Sequence, residues 1–171
     1  LLNSMKTDID EIDVFAVSEG PGSFTGVRIG AATVKGFAHR KDKPCIGVST
    51  LEALARNLAF GEDKIIIPVM DARRGQFYTA KLAFKDGKLD RIGEDTPMSF
   101  EDFLEDVKAL GERIYLCGDG YAPARKLLGD ELSYETPEKL RYQSAYSVAQ
   151  IAYEKYLAGD RTSAEDLRPT Y

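Results

Sequence analysis

The chain has 171 residues, 43% of them apolar and 30% charged, with a formal net charge of −5 at pH 7. That length and apolar share suit one globular protein with two small lobes and a sizeable core. Lys and Arg stand singly among acids, which disfavours a direct grip on phosphate backbones, and no apolar stretch approaches membrane-spanning length.

The opening LLNSMKT lacks an initiator Met and reads as the tail of an amphipathic helix, so the natural N-terminus is expected to precede it. Val14–Val17 reads as a buried strand, and Thr25 to about His39 as a helix capped by Ser23 or Thr25. Pro44–Val48 is a second buried strand. Ser49 caps a helix through about Asn57, with Glu52 at capping-box spacing. Strand, helix, strand with crossovers of this length implies parallel neighbours.

The expected lobe boundary falls in Ala59–Asp63, dividing the chain into residues 1–61 and 62–171. After it, Lys64–Met70, Gln76–Phe84 and Lys88–Ile92 read as an antiparallel meander, with Asp86–Gly87 as a hairpin turn. A helix at Ser99–Leu110, a strand at Ile114–Cys117, a short helix after Tyr121, a brief strand at Leu132–Tyr134 and a helix over about Ser144–Leu157 follow. The order is βββαβαβα. The first part, helix tail then β-α-β-α, matches the back half of that same unit. The predicted fold is therefore α/β, a duplicated βββαβαβα architecture whose first unit is incomplete.

The stretch SEGPGSFTGVRIG carries four glycines in residues 18–30: Gly20, Gly22, Gly26 and Gly30. A P-loop needs Lys and Ser/Thr after its last glycine, and a dinucleotide fingerprint needs GxGxxG. Neither fits, because Gly26 is followed by Val27 and Arg28, and the spacing is GxGxxxG. The four-residue recurrence of Gly22, Gly26 and Gly30 would line one helix face with small residues. Packing on the protein's own sheet, a subunit interface, and anion binding at the helix N-terminus all remain open.

In VMDARRGQFYTAKL, Asp71 to Gly75 turns the chain between two strands. Arg73 and Arg74 block the close backbone approach of a phosphate, but two arginines suit an anion by side chain, beside a plain solvated basic turn. In LCGDGYAP, Gly118 and Gly120 would let a ligand or another chain come near, or simply form a tight βα turn with Asp119 near a helix N-terminus. Asp71, Arg73, Arg74, Gly118 and Gly120 are thus the candidate anion or nucleotide contacts.

The single histidine, His39, ends a helix among Arg40, Lys41 and Lys43, where a positive charge is favourable. Cys45 and Cys117 sit in the apolar runs PCIGV and IYLCG and read as reduced, buried thiols of a cytoplasmic protein. Glu101, Asp102, Glu105 and Asp106 read as a solvated helix face. No convergent acid–base pair and no metal-ligand spacing emerges.

SEGPGSFTGVRIG, GVSTLEALA, MDARRGQFYTA and the C-terminal LRPTY together resemble the bacterial TsaB (YeaZ) family over essentially the whole chain, apart from the opening strands that family members carry. The resemblance implies the actin/Hsp70/sugar-kinase (ASKHA) fold. It also implies a non-catalytic partner of TsaD, a related metal-dependent transferase. Together with TsaE, they place a threonylcarbamoyl group on N6 of adenosine 37 in tRNAs reading ANN codons. By the same resemblance, Gly20, Pro21, Gly22, Ser23, Thr25, Gly26 and Gly30 form the structural motif. The helix that follows serves both homodimers and TsaD binding, with Phe24, Val27, Arg28, Ala31, Thr33 and Val34 as interface candidates. The expected partners are a TsaD-like transferase, a TsaE-like ATPase and a second copy of the chain, with tRNA reached only through the complex and no membrane. No metal or cofactor is expected in the isolated chain, and a nucleotide (ATP or ADP) near the partner contact. The competing readings are a degenerate ASKHA ATPase or glycoprotease-like enzyme, with Cys45 or Cys117 and His39 as its cysteine–histidine set, and a nucleotide-sensing module.

Overall fold

The structure is a computed structural model describing residues 2–170, which fall into two compact units, residues 2–50 with 148–170 and residues 51–147.

In the first unit, helix α1 (Leu2–Met5) and a 3-10 turn (Ile9–Glu11) precede strand β1 (Phe15–Gly20), helix α2 (Phe24–His39) and strand β2 (Cys45–Ser49). β1 and β2 pair in parallel, Phe15 opposite Cys45 and Ser18 opposite Val48, as the crossover length requires. Ser23 caps α2: its Oγ accepts from the Gly26 N–H at 3.4 Å. The core joins Ala38 and Cys45 to Ala164 and Leu167 of the C-terminal tail, with Phe15, Val17 and Val34 around them.

The second unit takes in helix α3 (Thr50–Arg56), strands β3 (Lys64–Arg73), β4 (Gln76–Thr79), β5 (Leu82–Lys85), β6 (Lys88–Arg91) and β7 (Thr96–Ser99), and helix α4 (Phe100–Ala109). Strand β8 (Ile114–Cys117), helix α5 (Tyr121–Leu132) and strand β9 (Ser133–Tyr134) follow, and helix α6 (Ala145–Leu157) begins within it. β3 is central. It pairs antiparallel with β4 and β5 on one side and parallel with β8 on the other, and β8 pairs with β9.

β3 is buried on both faces, which is why it reads as the continuous apolar run KIIIPVM. Ile66 and Met70 face Leu51, Leu54, Ala55 and Leu58, whereas Ile67 and Val69 face Phe103 and Val107 of α4 and Ala124 and Leu128 of α5. α3 therefore packs on the second sheet. Complete burial of Leu51 and Leu54 contributes about 1.5–3 kcal/mol each. The division consequently falls at residues 50–51, earlier than the expected boundary, and residues 148–170 belong to the first unit.

The meander holds with one strand divided and one strand added. The expected strand Gln76–Phe84 divides into β4 and β5, yet both keep one register on β3, with Val69 opposite Thr79 and Ile66 opposite Leu82. That register sets Ala80 opposite Pro68, which has no N–H to give to the ladder. The expected returning strand Lys88–Ile92 is β6 (Lys88–Arg91), and a further strand follows it. β6 pairs with β5, and β7 (absent from the sequence reading because Pro97 interrupts it) pairs with β4 along the sheet edge, where a proline is tolerated. In α4, Ser99 is the predicted cap, its Oγ accepting from the Asp102 N–H at 3.1 Å.

Candidate functional site

Helix α2 carries half of the candidate residues, including all six interface candidates. Its inner side is set by Ala31 and Ala38, both buried, with Val27, Gly30 and Val34 half-buried beside them. Gly30 lies against β1, and a Cβ added there would sit 3.2 Å from Cγ2 of Val17. The close approach belongs to the protein's own strand. A Cβ on Gly26 would meet only Ser23, at 3.4 Å, and one on Gly22 would meet Val27 at 3.2 Å. The three glycines do not form one outward ridge.

The six interface candidates divide accordingly. Phe24, Arg28 and Thr33 are exposed, with the Arg28 guanidinium 3.8 Å from the Phe24 ring centroid. Ala31, at 4% exposure, faces inward, and Val34 packs on the first unit's core. The outward surface is completed by residues the sequence reading did not select: Ile29 at 62% exposure, Ala32, Gly36 and Phe37. Ile29, Ala32 and Gly36 follow helical spacing opposite Ala31 and Ala38, so periodicity counted from those two alanines would have found them.

At the Asp71–Gly75 turn, Arg73, Arg74 and Gly75 all have positive φ, at 67°, 53° and 75°. For the two arginines this costs roughly 1–2 kcal/mol each. The turn is held by carboxylates: the Arg73 N–H donates to Oδ1 of Asp71 at 2.8 Å, and the Asp71 N–H donates to Oδ1 of Asp119 at 3.1 Å. Asp71 thus braces the turn's backbone, while both arginine side chains stay exposed. Gly118 and Gly120 are filled from within. A Cβ on Gly118 would lie 2.0 Å from the Val69 carbonyl oxygen, and the Gly120 N–H donates to that same oxygen at 3.1 Å. Of these five candidates, the glycines admit β3 rather than a ligand, and the structure adds Asp119 beside Asp71.

The two thiols are buried. Burial pushes the Cys117 thiol far above its ordinary value. It also raises Cys45, against a smaller opposing effect of the Lys35 charge. Neither is poised as a thiolate nucleophile. His39 is exposed near the end of α2, where the sequence placed it. Among the described residues, no group of three or more His, Cys, Asp or Glu could hold a metal ion, and no helix is long and apolar enough to cross a membrane.

Comparison with known proteins places this geometry. Residues 1–162 match the family model described as TsaD, tRNA N6-adenosine threonylcarbamoyltransferase. The tRNA threonylcarbamoyladenosine biosynthesis protein TsaB of Bacillus subtilis (strain 168) is 36% identical over 132 residues, 77% of this chain and 57% of that protein. The protein of the same name from Escherichia coli (strain K12) is 28% identical over 100% of this chain and 75% of its own length. The chain therefore spans little more than half of the Bacillus relative it matches. YeaZ from Pseudomonas aeruginosa superposes with a TM-score of 0.82 at 23% identity, over 100% of this chain and 79% of that one, and carries the same α/β fold. The chain belongs to the family described as TsaD, tRNA N6-adenosine threonylcarbamoyltransferase, and within it to the TsaB (YeaZ) members.

Proposed function

We propose that the chain is a docking subunit in the threonylcarbamoyladenosine modification of tRNA. It binds a TsaD-like transferase through the outward face of α2 and leaves the bond-making to that partner. The observation that carries this reading is the division of α2: one side seats on β1, the other presents Ile29, Ala32 and Gly36 outward, and Phe24 is exposed at the N-terminal end of the helix. Large apolar side chains beside small ones on an exposed helix suit the close approach of another helix. Two further observations support it. Both thiols are buried and held protonated, which argues against the peptidase alternative. The net charge of −5 suits a protein that reaches tRNA through a partner rather than by itself. A TsaE-like ATPase, a homodimer of the chain in isolation, and a nucleotide (ATP or ADP) near the partner contact belong to the same reading.

The test is co-expression with a TsaD-like protein. The unaltered chain should co-purify with it, and Ile29→Glu, which buries a charge in the contact, should not. Unchanged co-purification of Ile29→Glu overturns the assignment of the face. Turnover of ATP or a peptide by the isolated chain overturns the non-catalytic role.

A further inference from the structure

The C-terminal tail after α6 contains no long helix or strand, yet it is fastened at four places to the elements that carry the proposed docking face. Thr162 and Cys45 exchange two backbone hydrogen bonds, at 2.8 and 2.9 Å, which tie the tail to β2. Ala164 and Leu167 are buried in the first unit's core beside Ala38 of α2. The Lys35 ammonium, also on α2, donates to the carbonyl oxygens of Glu165 and Leu167, both at 3.2 Å. Further along, the Thr170 N–H donates to the Glu19 carbonyl at 2.7 Å.

The last contact falls at a particular place. The β1–β2 pairing runs Ser18 opposite Val48 and then Gly20 opposite Ser49, so Glu19 is the residue the register passes over. Its carbonyl takes a hydrogen bond from the tail instead, as buried backbone groups require. The neighbouring Gly20 has φ +128°, and a Cβ there would lie 2.1 Å from the Thr170 carbonyl oxygen. Glycine at this position admits the tail. Locally, Pro169 disfavours helical backbone at Arg168, which suits a chain running past the turn rather than coiling away.

We propose that residues 162–170 are a strap that fixes the Gly20–Ser23 turn and, through it, the placement of α2. Lys35 and Thr170 are then positioning residues for the docking face. The link from the strap to partner binding rests on the docking role proposed above, and the strap's hold on the turn does not. Two of the segments that identify the family, SEGPGSFTG and LRPTY, thus meet in space at Glu19, Gly20 and Thr170.

The experiment compares four variants of the full chain by amide hydrogen exchange and by titration with the TsaD-like partner. Thr170→Pro removes the N–H donor to Glu19, Thr170→Ala keeps it, Lys35→Met removes both lysine contacts, and Ile29→Glu alters the docking face alone. Loss of one hydrogen bond should speed exchange of the amides of residues 20–27 about fivefold in Thr170→Pro and at least as much in Lys35→Met. Thr170→Ala should leave them unchanged, and the amides of β3 and β8 should keep their rates in all four, showing an intact fold. Partner affinity should fall in step in Thr170→Pro and Lys35→Met. Unaltered exchange at residues 20–27 in both Thr170→Pro and Lys35→Met overturns the strap. Faster exchange with unchanged partner affinity overturns its positioning role. Binding retained in Ile29→Glu overturns the docking role instead, whatever the turn does.

Discussion

The carbonyl oxygen of Val69 occupies the place where Gly118 would carry a side chain: a Cβ built there lies 2.0 Å from it, and Gly118 has φ +103°. Neither the backbone angle nor the neighbour can yield cheaply, since the neighbour is the backbone of the central strand. Gly118→Ala should destabilise the protein by about 3 kcal/mol or more, read as a lower urea midpoint. A loss under about 1 kcal/mol would show that β3 and the β8–α5 turn are looser than described.

Gly36 stands in the opposite situation. It lies inside α2, and a Cβ there meets nothing within 4 Å. Gly36→Ala should stabilise the isolated chain by about 0.5–1 kcal/mol, because alanine loses less backbone entropy in a helix. Because Gly36 is on the outward face, the same variant should weaken binding of the TsaD-like partner. A raised melting temperature with unchanged partner affinity would place Gly36 outside the contact.

Cys117 gives the stability a pH dependence of known sign. Burial holds its thiol protonated in the folded state, whereas the unfolded thiol releases its proton from its ordinary value of 9.0 upward. The folded state then binds more protons, so this thiol's contribution falls as pH rises above 9.0, by up to about 1.4 kcal/mol per pH unit. Urea midpoints compared at about pH 8 and about pH 10 should show a shallower decline in Cys117→Ala than in the unaltered chain. Equal slopes would mean that the thiol reaches solvent.

Asn57 uses its whole amide on the segment before α6 and on the first turn of α6. Its Nδ2 donates to the carbonyl oxygens of Leu140 at 3.3 Å and Tyr142 at 2.7 Å, and its Oδ1 accepts from the Ser147 hydroxyl at 2.6 Å. Asn57→Ala leaves the buried Ser147 hydroxyl without this acceptor and should cost about 2 kcal/mol. Asn57→Asp keeps the acceptor but turns a carboxylate toward two carbonyl oxygens, so it should be no better. Proteolysis confined to residues 138–144 in either variant would show the segment released.

Much of this architecture is legible in the chain itself, because periodicity and turn chemistry act locally. KIIIPVM reads as a strand, and Ser99 before FEDFLEDV reads as the cap of a helix. The glycine-rich stretch left sheet packing, a subunit interface and anion binding open, but its pattern, with MDARRGQFYTA and LRPTY, carried the family. What covers each glycine was not legible, since the covering groups come from distant residues: Val17 against Gly30, Val69 against Gly118, Thr170 against Gly20. The break at Ala80 depends on Pro68, twelve residues earlier but opposite it in the sheet. The outward face of α2 was settled in the same way. Helical spacing groups Ile29 with Ala32 and Gly36, but only contact with β1 decides that this group faces away from it. Local order follows from each residue's own backbone and side-chain preferences. Which side of an element is buried follows from where the rest of the chain returns, and here it returns as a C-terminal tail across the first turn.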